Sequence, residues 1–192
     1  MSATAAVPAP PRLRGDVAMW FVIGMEMLTF GLLFVTFAVA RARELPLFKA
    51  GQATLALGTG AFNTALLLSG SWCVARGVHA LRVARAAAGA RWLWAGAGCG
   101  MAFAAVKIAE YAEQLKAGHD LSSDTFHMFY FVLTGFHALH VAVAVLLLCG
   151  VAWLARRGRW GPQDTHAPET VAAFWHMVDL LWVVLFPLVY VM

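Results

Sequence analysis

The chain has 192 residues, 61% of them hydrophobic and 12% charged, with a mean hydropathy of +0.72. That composition excludes a soluble globular domain and points to a polytopic membrane protein. The net charge of +4 does not indicate nucleic acid, because most basic residues sit in short segments beside apolar runs, where they set topology.

Residues 1–15, "MSATAAVPAPPRLRG", are rich in Ala and Pro and predict a disordered tail. The run that follows outlasts a signal-peptide core and shows no small-residue cleavage site, so it is expected to be retained. One all-α membrane domain, 16–192, is expected, with five transmembrane spans at about 17–40, 53–75, 92–115, 126–154 and 171–192, given about 20 residues per crossing. The third is the weakest, because Lys107 and Glu110 interrupt it. Short connections predict antiparallel neighbours.

Topology follows from the basic residues. Arg12, Arg14, Arg76, Arg82, Arg85, Arg91, Arg156, Arg157 and Arg159 fall on one side, and Arg41, Arg43, Lys49 and Lys116 on the other, nine against four. Positive charge favours the cytoplasm, so the N-terminus is expected inside and the C-terminus outside.

The polar residues within these spans come next, in chain order. Glu26 lies about 15 Å along the first span, and a lone carboxyl there costs about 2.5–3.5 kcal/mol on insertion scales. Burial favours its neutral acid; it reads either as a hydrogen-bonded packing residue or as a proton-handling group. Asn63 reads as a helix–helix hydrogen bond. Lys107 and Glu110, with Tyr111 beside them, are one turn apart and predict a local ion pair near the outer end of their span, where snorkelling lowers the cost. His137 and His140 share one face of the fourth span, and His176 and Asp179 make a second i,i+3 pair on the fifth. The antiparallel register places His140 and Asp179 at one depth, which predicts a hydrogen bond between them.

The residues admit a metal or haem site as well, since His137, His140, His176 and a carboxylate are ligands of suitable type. Against it, bundle di-metal sites use Glu-x-x-His, which is absent. Cys73, Cys99 and Cys149 are isolated and read as small core residues. "GAGCG", from Gly96 to Gly100, allows close helix approach. No P-loop, Gly-x-Ser-x-Gly or dinucleotide fingerprint occurs.

In this order, the motifs resemble subunit III of the haem–copper oxidases, from about Asp16 to the C-terminus. "GMEMLTFGLLFVTFAVAR" is similar to the family's glutamate-bearing helix, "FNTALLLSGSWCVARGVHAL" to its Asn-Thr helix and "AEYAE" to its Glu-Tyr helix. "FVLTGFHALHV" and "AAFWHMVDLLWVVLFPLVYV" are the most specific pieces, resembling Thr-Gly-Phe-His-Gly-Leu-His and Trp-His-Phe-Val-Asp-Val-Val-Trp. The resemblance implies an accessory subunit without redox cofactors of its own. Its expected partner is a catalytic membrane subunit that holds haem and copper or iron, and its expected role is to support assembly and proton uptake, with structural phospholipid. Glu26 would be the family's buried carboxyl, and the histidine pairs structural hydrogen-bonding groups. Three features depart from the pattern. The two extra N-terminal helices of seven-helix members are absent, "RGVH" retains only His79 of Trp-Ala-His-His, and Lys107 replaces a neutral amide. The short chain, "MFYFVLTGFHALH" and "FWHMVDLLWVVLFPLVYV" resemble the five-helix branch associated with nitric oxide reductase, so that reductase is an alternative partner to an oxygen-reducing oxidase. The other reading, an independent metalloprotein or proton channel built on Glu26, His137, His140, His176 and Asp179, stays open at this point.

Overall fold

The computed structural model describes residues 17–160 and 164–192; the expected tail at 1–15 lies outside them. Six helices follow one another: α1 Val17–Arg43, α2 Leu45–Ala53, α3 Leu57–Arg82, α4 Ala86–Lys116, α5 Thr125–Arg156 and α6 His166–Tyr190. Chain punctuation explains the breaks. Pro46 sits in the first turn of α2, where its missing N–H is no loss. Gly118 and Gly158 take φ of +86° and +70° just past the ends of α4 and α5, the left-handed conformation that closes a helix. Asp124 caps α5 by accepting the His127 N–H at 2.8 Å.

Four of the described helices, α1, α4, α5 and α6, are long and apolar enough to cross a membrane. The expected five-span count is therefore not met by apolarity. The shortfall falls on α3, and not on the segment carrying Lys107 and Glu110. At 26 residues α3 has the length, about 39 Å at 1.5 Å per residue, but Asn63, Thr64, Ser69, Ser71 and Arg76 dilute it. The helices also overrun the expected spans at several ends, since a hydropathy window marks the apolar stretch and not the helix. The short α2 was not anticipated.

Glycines weld α3 to α4. A Cβ on Gly77 would stand 3.2 Å from the Gly89 carbonyl oxygen, and one on Gly96 would stand 3.2 Å from that of Gly70. As one index rises the other falls equally, which is the signature of antiparallel helices in backbone-to-backbone approach. The same register holds between α1 and α5, where Phe30 meets Phe136 at 5.1 Å and Phe37 meets Phe129 at 5.7 Å between ring centroids. Arg82 at the end of α3 bonds Glu169 at the start of α6 at 2.8 Å. One end of the bundle thus gathers the starts of α1, α4 and α6 with the ends of α3 and α5. Helix α1 buries Phe30 and Phe37 but exposes Phe21, Met25, Leu28, Leu32 and Val35, an apolar surface suited to lipid or to another helix.

Candidate functional site

The polar side chains inside the bundle fall into separate layers. The first is closed. Lys107, only 1% exposed, places Nζ 3.2 Å from Oε2 of Glu110, itself 4% exposed. Nζ also donates to Tyr190 at 2.6 Å and to Tyr130 at 3.2 Å. Tyr130 and Tyr190 in turn donate to Glu110 Oε1, at 2.7 and 2.5 Å. The rings of Tyr130, Tyr111, Tyr190 and Trp182 surround the ammonium, with centroids 4.7 to 5.7 Å away, so cation–π attraction adds to the pairing. The expected ion pair is present, but its snorkelling is not. Tyr130 from α5 and Tyr190 from α6 seal it inside, and the charges are satisfied by protein and not by water. Tyr111 donates elsewhere, to Thr134 at 2.8 Å.

The second layer is open. Glu26 Oε2 on α1 lies 3.0 Å from His140 Nε2 on α5. The other ring nitrogen, Nδ1, is 2.7 Å from the Phe136 carbonyl oxygen. A carbonyl only accepts, so Nδ1 carries a proton. Nε2 and a carboxylate oxygen at 3.0 Å would repel if both were bare. A hydrogen bond across this contact requires one further proton, on Glu26 or on the imidazole. The Glu26 side chain is 25% exposed, and it opens with His140 onto an apolar groove of about 330 Å³ between α1, α5 and α6, walled by Met19, Val22, Val143, Leu147 and Phe174.

This geometry overturns the expected His140–Asp179 bond. Both nitrogens of His140 are already engaged, by Phe136 and Glu26. Asp179 is 7% exposed, and its Oδ1 has no hydrogen-bond partner among the described residues. His176, its neighbour one turn back, shares a 2.6 Å bond between Nδ1 and the Ser71 hydroxyl of α3. His140 thus looks to α1 and His176 to α3, and not to each other.

His137 is completely buried, and neither of its nitrogens has a hydrogen-bond partner among the described residues. It is packed among rings, with Trp182 at 5.1 Å and Phe103 at 5.7 Å between centroids. Asn63 likewise has both side-chain polar atoms buried and unpartnered, so the expected Asn63 bond between helices is not formed. Its neighbour makes that bond instead: Trp182 Nε1 donates to Thr64 Oγ1 at 3.0 Å. Among the described residues no group of three or more His, Cys, Asp or Glu is placed to hold a metal ion. The three cysteines are free.

At the opposite end, His127 stacks on His119 with centroids 4.1 Å apart. Its Nδ1 lies 2.7 Å from Asp124 Oδ2. Partial burial works to raise the Asp124 carboxyl, but the N–H and ring of His127 outweigh it, and the group sits below its usual 3.8. Hydrogen bonds from Ser122 and Ser123 likewise hold Asp120 low. Sequence reasoning did not find the roles of Tyr130, Tyr190 and Trp182. The available signal was scarcity: the chain has three tyrosines, and all three reach the Lys107 layer.

The chain matches the family model described as Cytochrome c oxidase subunit III over residues 15–192. It is 32% identical to "Cytochrome c oxidase subunit 3" of Thermostichus vulcanus, over 87% of this chain and 82% of that protein. It is 31% identical to "Cytochrome c oxidase subunit 3" of Synechocystis sp., over 95% and 77%. With "Quinol oxidase subunit 3" of Bacillus subtilis the identity is 27%, over 90% and 84%. A match spanning nearly the whole chain, together with an all-helical bundle carrying a buried carboxyl and histidine pairs, leads to one assignment: the chain belongs to the cytochrome c oxidase subunit III family.

Proposed function

We infer that this chain is a non-catalytic accessory subunit of a haem–copper respiratory oxidoreductase in a bacterial plasma membrane. The observation that carries the reading is the family match over residues 15–192. The closed Lys107 layer agrees with it, since it ties α4 to α5 and α6 and satisfies its charges within the bundle. Family membership favours this role over an independent metalloprotein or channel. On this reading Glu26, Asn63, Lys107, Glu110, His137, His140, His176 and Asp179 are structural or proton-related groups. The haem and its companion copper or iron belong to the catalytic partner.

The partner is an oxygen-reducing oxidase, in keeping with the printed names of the relatives. A nitric oxide reductase is the second reading, carried by the likeness of "MFYFVLTGFHALH" and "FWHMVDLLWVVLFPLVYV" to the five-helix branch. The topology we propose has α3 as a fifth crossing and the N-terminus in the cytoplasm, supported by the nine-to-four distribution of basic residues. Affinity purification of the tagged chain in mild detergent tests the assignment. A co-purifying haem protein is expected, with oxygen consumption; nitric oxide consumption instead selects the second reading. A chain that brings down no haem protein, or that binds stoichiometric haem itself, overturns both.

A further inference from the structure

His176 and Asp179 belong neither to the sealed Lys107 layer nor to the Glu26–His140 contact. His176 Nδ1 shares its 2.6 Å bond with the Ser71 hydroxyl, and the same hydroxyl bonds the Asp179 carboxyl. Imidazole, hydroxyl and carboxyl thus form one polar chain across α6 and α3. Its inner end is closed, since Asp179 is 7% exposed and its Oδ1 has no further partner among the described residues. Its outer end is open. His176 is exposed and lines a groove of about 290 Å³ between α1, α3 and α6.

The other lining residues define the ligand. Trp20 of α1 contributes an aromatic face, and Ala75, Ala172 and Ala173 leave room beside it. Arg82 and Glu169 also line the groove, but they bond each other at 2.8 Å. The groove therefore carries no net charge, and an anionic ligand would have to break that pair. Trp20 is exposed, and tryptophans of this kind settle at the interface level of a bilayer. A neutral, flat, amphiphilic head group suits such a place.

The polar chain behind the groove has two settings. With Asp179 ionised, the carboxylate accepts from Ser71, Ser71 accepts from Nδ1–H, and Nε2 is a bare acceptor. With Asp179 protonated, every bond reverses: the acid donates to Ser71, Ser71 donates to Nδ1, and Nε2 carries the proton. The imidazole is neutral in both settings, which suits its depth. Nε2 thus pairs with a hydroxyl in one setting and with a carbonyl in the other. That duality is the chemistry of a quinol and its quinone, which present hydroxyls and carbonyls in turn on one flat ring.

We propose that this groove binds the head group of a membrane quinol, with a quinol hydroxyl donating to His176 Nε2 and the ring lying against Trp20. The site holds the head group and passes no electron itself. It is separate from the groove at Glu26, which α1, α5 and α6 line. The proposal rests on the chain spanning a membrane and is independent of which catalytic subunit it accompanies.

Anaerobic native mass spectrometry of the full-length chain in mild detergent tests it, with decylubiquinol and its dimethyl ether as probes. The ether keeps the ring and tail but has no hydroxyl to donate. It is expected to bind about fivefold more weakly than the quinol, from about 1 kcal/mol for one hydrogen bond. His176→Phe keeps a ring but has no Nε2; it should weaken quinol binding by the same factor and leave ether binding unchanged. Ala173→Leu fills the groove without touching the polar chain and should weaken both probes. Glu26→Gln, in the other groove, should change neither. Circular dichroism checks that each variant is folded. Equal binding of the two probes by the wild type, or quinol binding unchanged by His176→Phe or by Ala173→Leu, overturns the proposal. Equal loss of both probes in His176→Phe marks a packing role for the ring and overturns it too. Failure here leaves the accessory-subunit reading intact, because the assay contains no catalytic partner.

Discussion

Replacing Lys107 by Met removes one charge from the closed layer while keeping the length of the side chain. Glu110 then retains two phenol donors, at 2.7 and 2.5 Å, but loses its counter-charge. Stranding one member of a buried pair costs about 3–5 kcal/mol in general; the surviving phenols place this case at the lower end, about 3 kcal/mol. Glu110→Gln strands the ammonium instead. Two phenol oxygens and four aromatic rings still face it, and a desolvated cation–π contact contributes up to about 2 kcal/mol, so that loss should be smaller, about 2 kcal/mol. The double variant carries no buried charge, and Gln still accepts from the phenols. It should lose only about 2 kcal/mol, which leaves a coupling of about 3 kcal/mol between the two sites. The magnitude discriminates, because ordinary polar pairs between membrane helices couple by about 0.6 kcal/mol. Unfolding of the four proteins by dodecyl sulfate in micelles, followed by circular dichroism, gives the cycle. A coupling at or below the ordinary value would refute the claim that Lys107 and Glu110 form a sealed charge pair.

Three further outcomes are expected. Gly77→Ala should destabilise the α3–α4 contact, since its Cβ would meet Leu93 Cγ at 2.8 Å; Gly98→Ala, with nothing within 4 Å, should be neutral or gain up to about 1 kcal/mol of helix propensity. Thermal midpoints in detergent would separate the two, and equal effects would contradict the packing. Asp124→Ala should cost about 1 kcal/mol at neutral pH through the lost α5 cap. Because the folded-state value of Asp124 lies below 3.8, its contribution is present above that pH and disappears as pH falls through the lower folded value; wild type and variant should then melt together, and a gap persisting in strong acid would count against the cap. A hydrophobic carbodiimide should modify Glu26, which faces the groove, and spare Glu110, which is sealed; peptide mapping showing equal modification would contradict that distinction.

Much of this arrangement was legible in the sequence, for identifiable reasons. Periodicity and apolar length gave the helices because membrane burial selects for both at once. The Lys107–Glu110 pair was legible because i,i+3 spacing fixes proximity within a single helix. Contacts between helices were less so. Depth alone suggested His140 with Asp179, but depth does not specify rotation about the helix axis, and that rotation turns His140 to α1 and Asp179 towards α3. The α3 hydropathy shortfall and the sealing of Lys107 share a cause: membrane cost is set by what surrounds a polar group, and Tyr130 and Tyr190 lie 20 and 80 residues from Glu110. Asn63 failed differently, since Thr64 beside it took the Trp182 bond.

The contrast between the two polar layers bears on proton handling. In the Lys107 layer each carboxylate oxygen of Glu110 has a positive or hydroxyl neighbour, so the layer is a neutral, self-contained unit. Moving a proton there would mean breaking several short bonds at once. The Glu26–His140 contact brings one carboxyl oxygen to within 3.0 Å of Nε2, with a groove beside it. The Phe136 carbonyl occupies His140 Nδ1, which leaves the Nε2–carboxyl side as the place for a proton exchanged by this pair. That directionality is what a proton-holding pair requires and what a packing contact does not. His140→Gln keeps a hydrogen-bonding group of similar length but cannot be charged. If the pair only packs α1 against α5, the variant should match the wild type in partner turnover across pH. If it holds a proton for the partner, turnover should fall selectively as the bulk proton supply falls above neutrality, while the assembled complex keeps its haem spectrum. A variant whose turnover follows the wild type across pH would return Glu26 and His140 to a purely structural role.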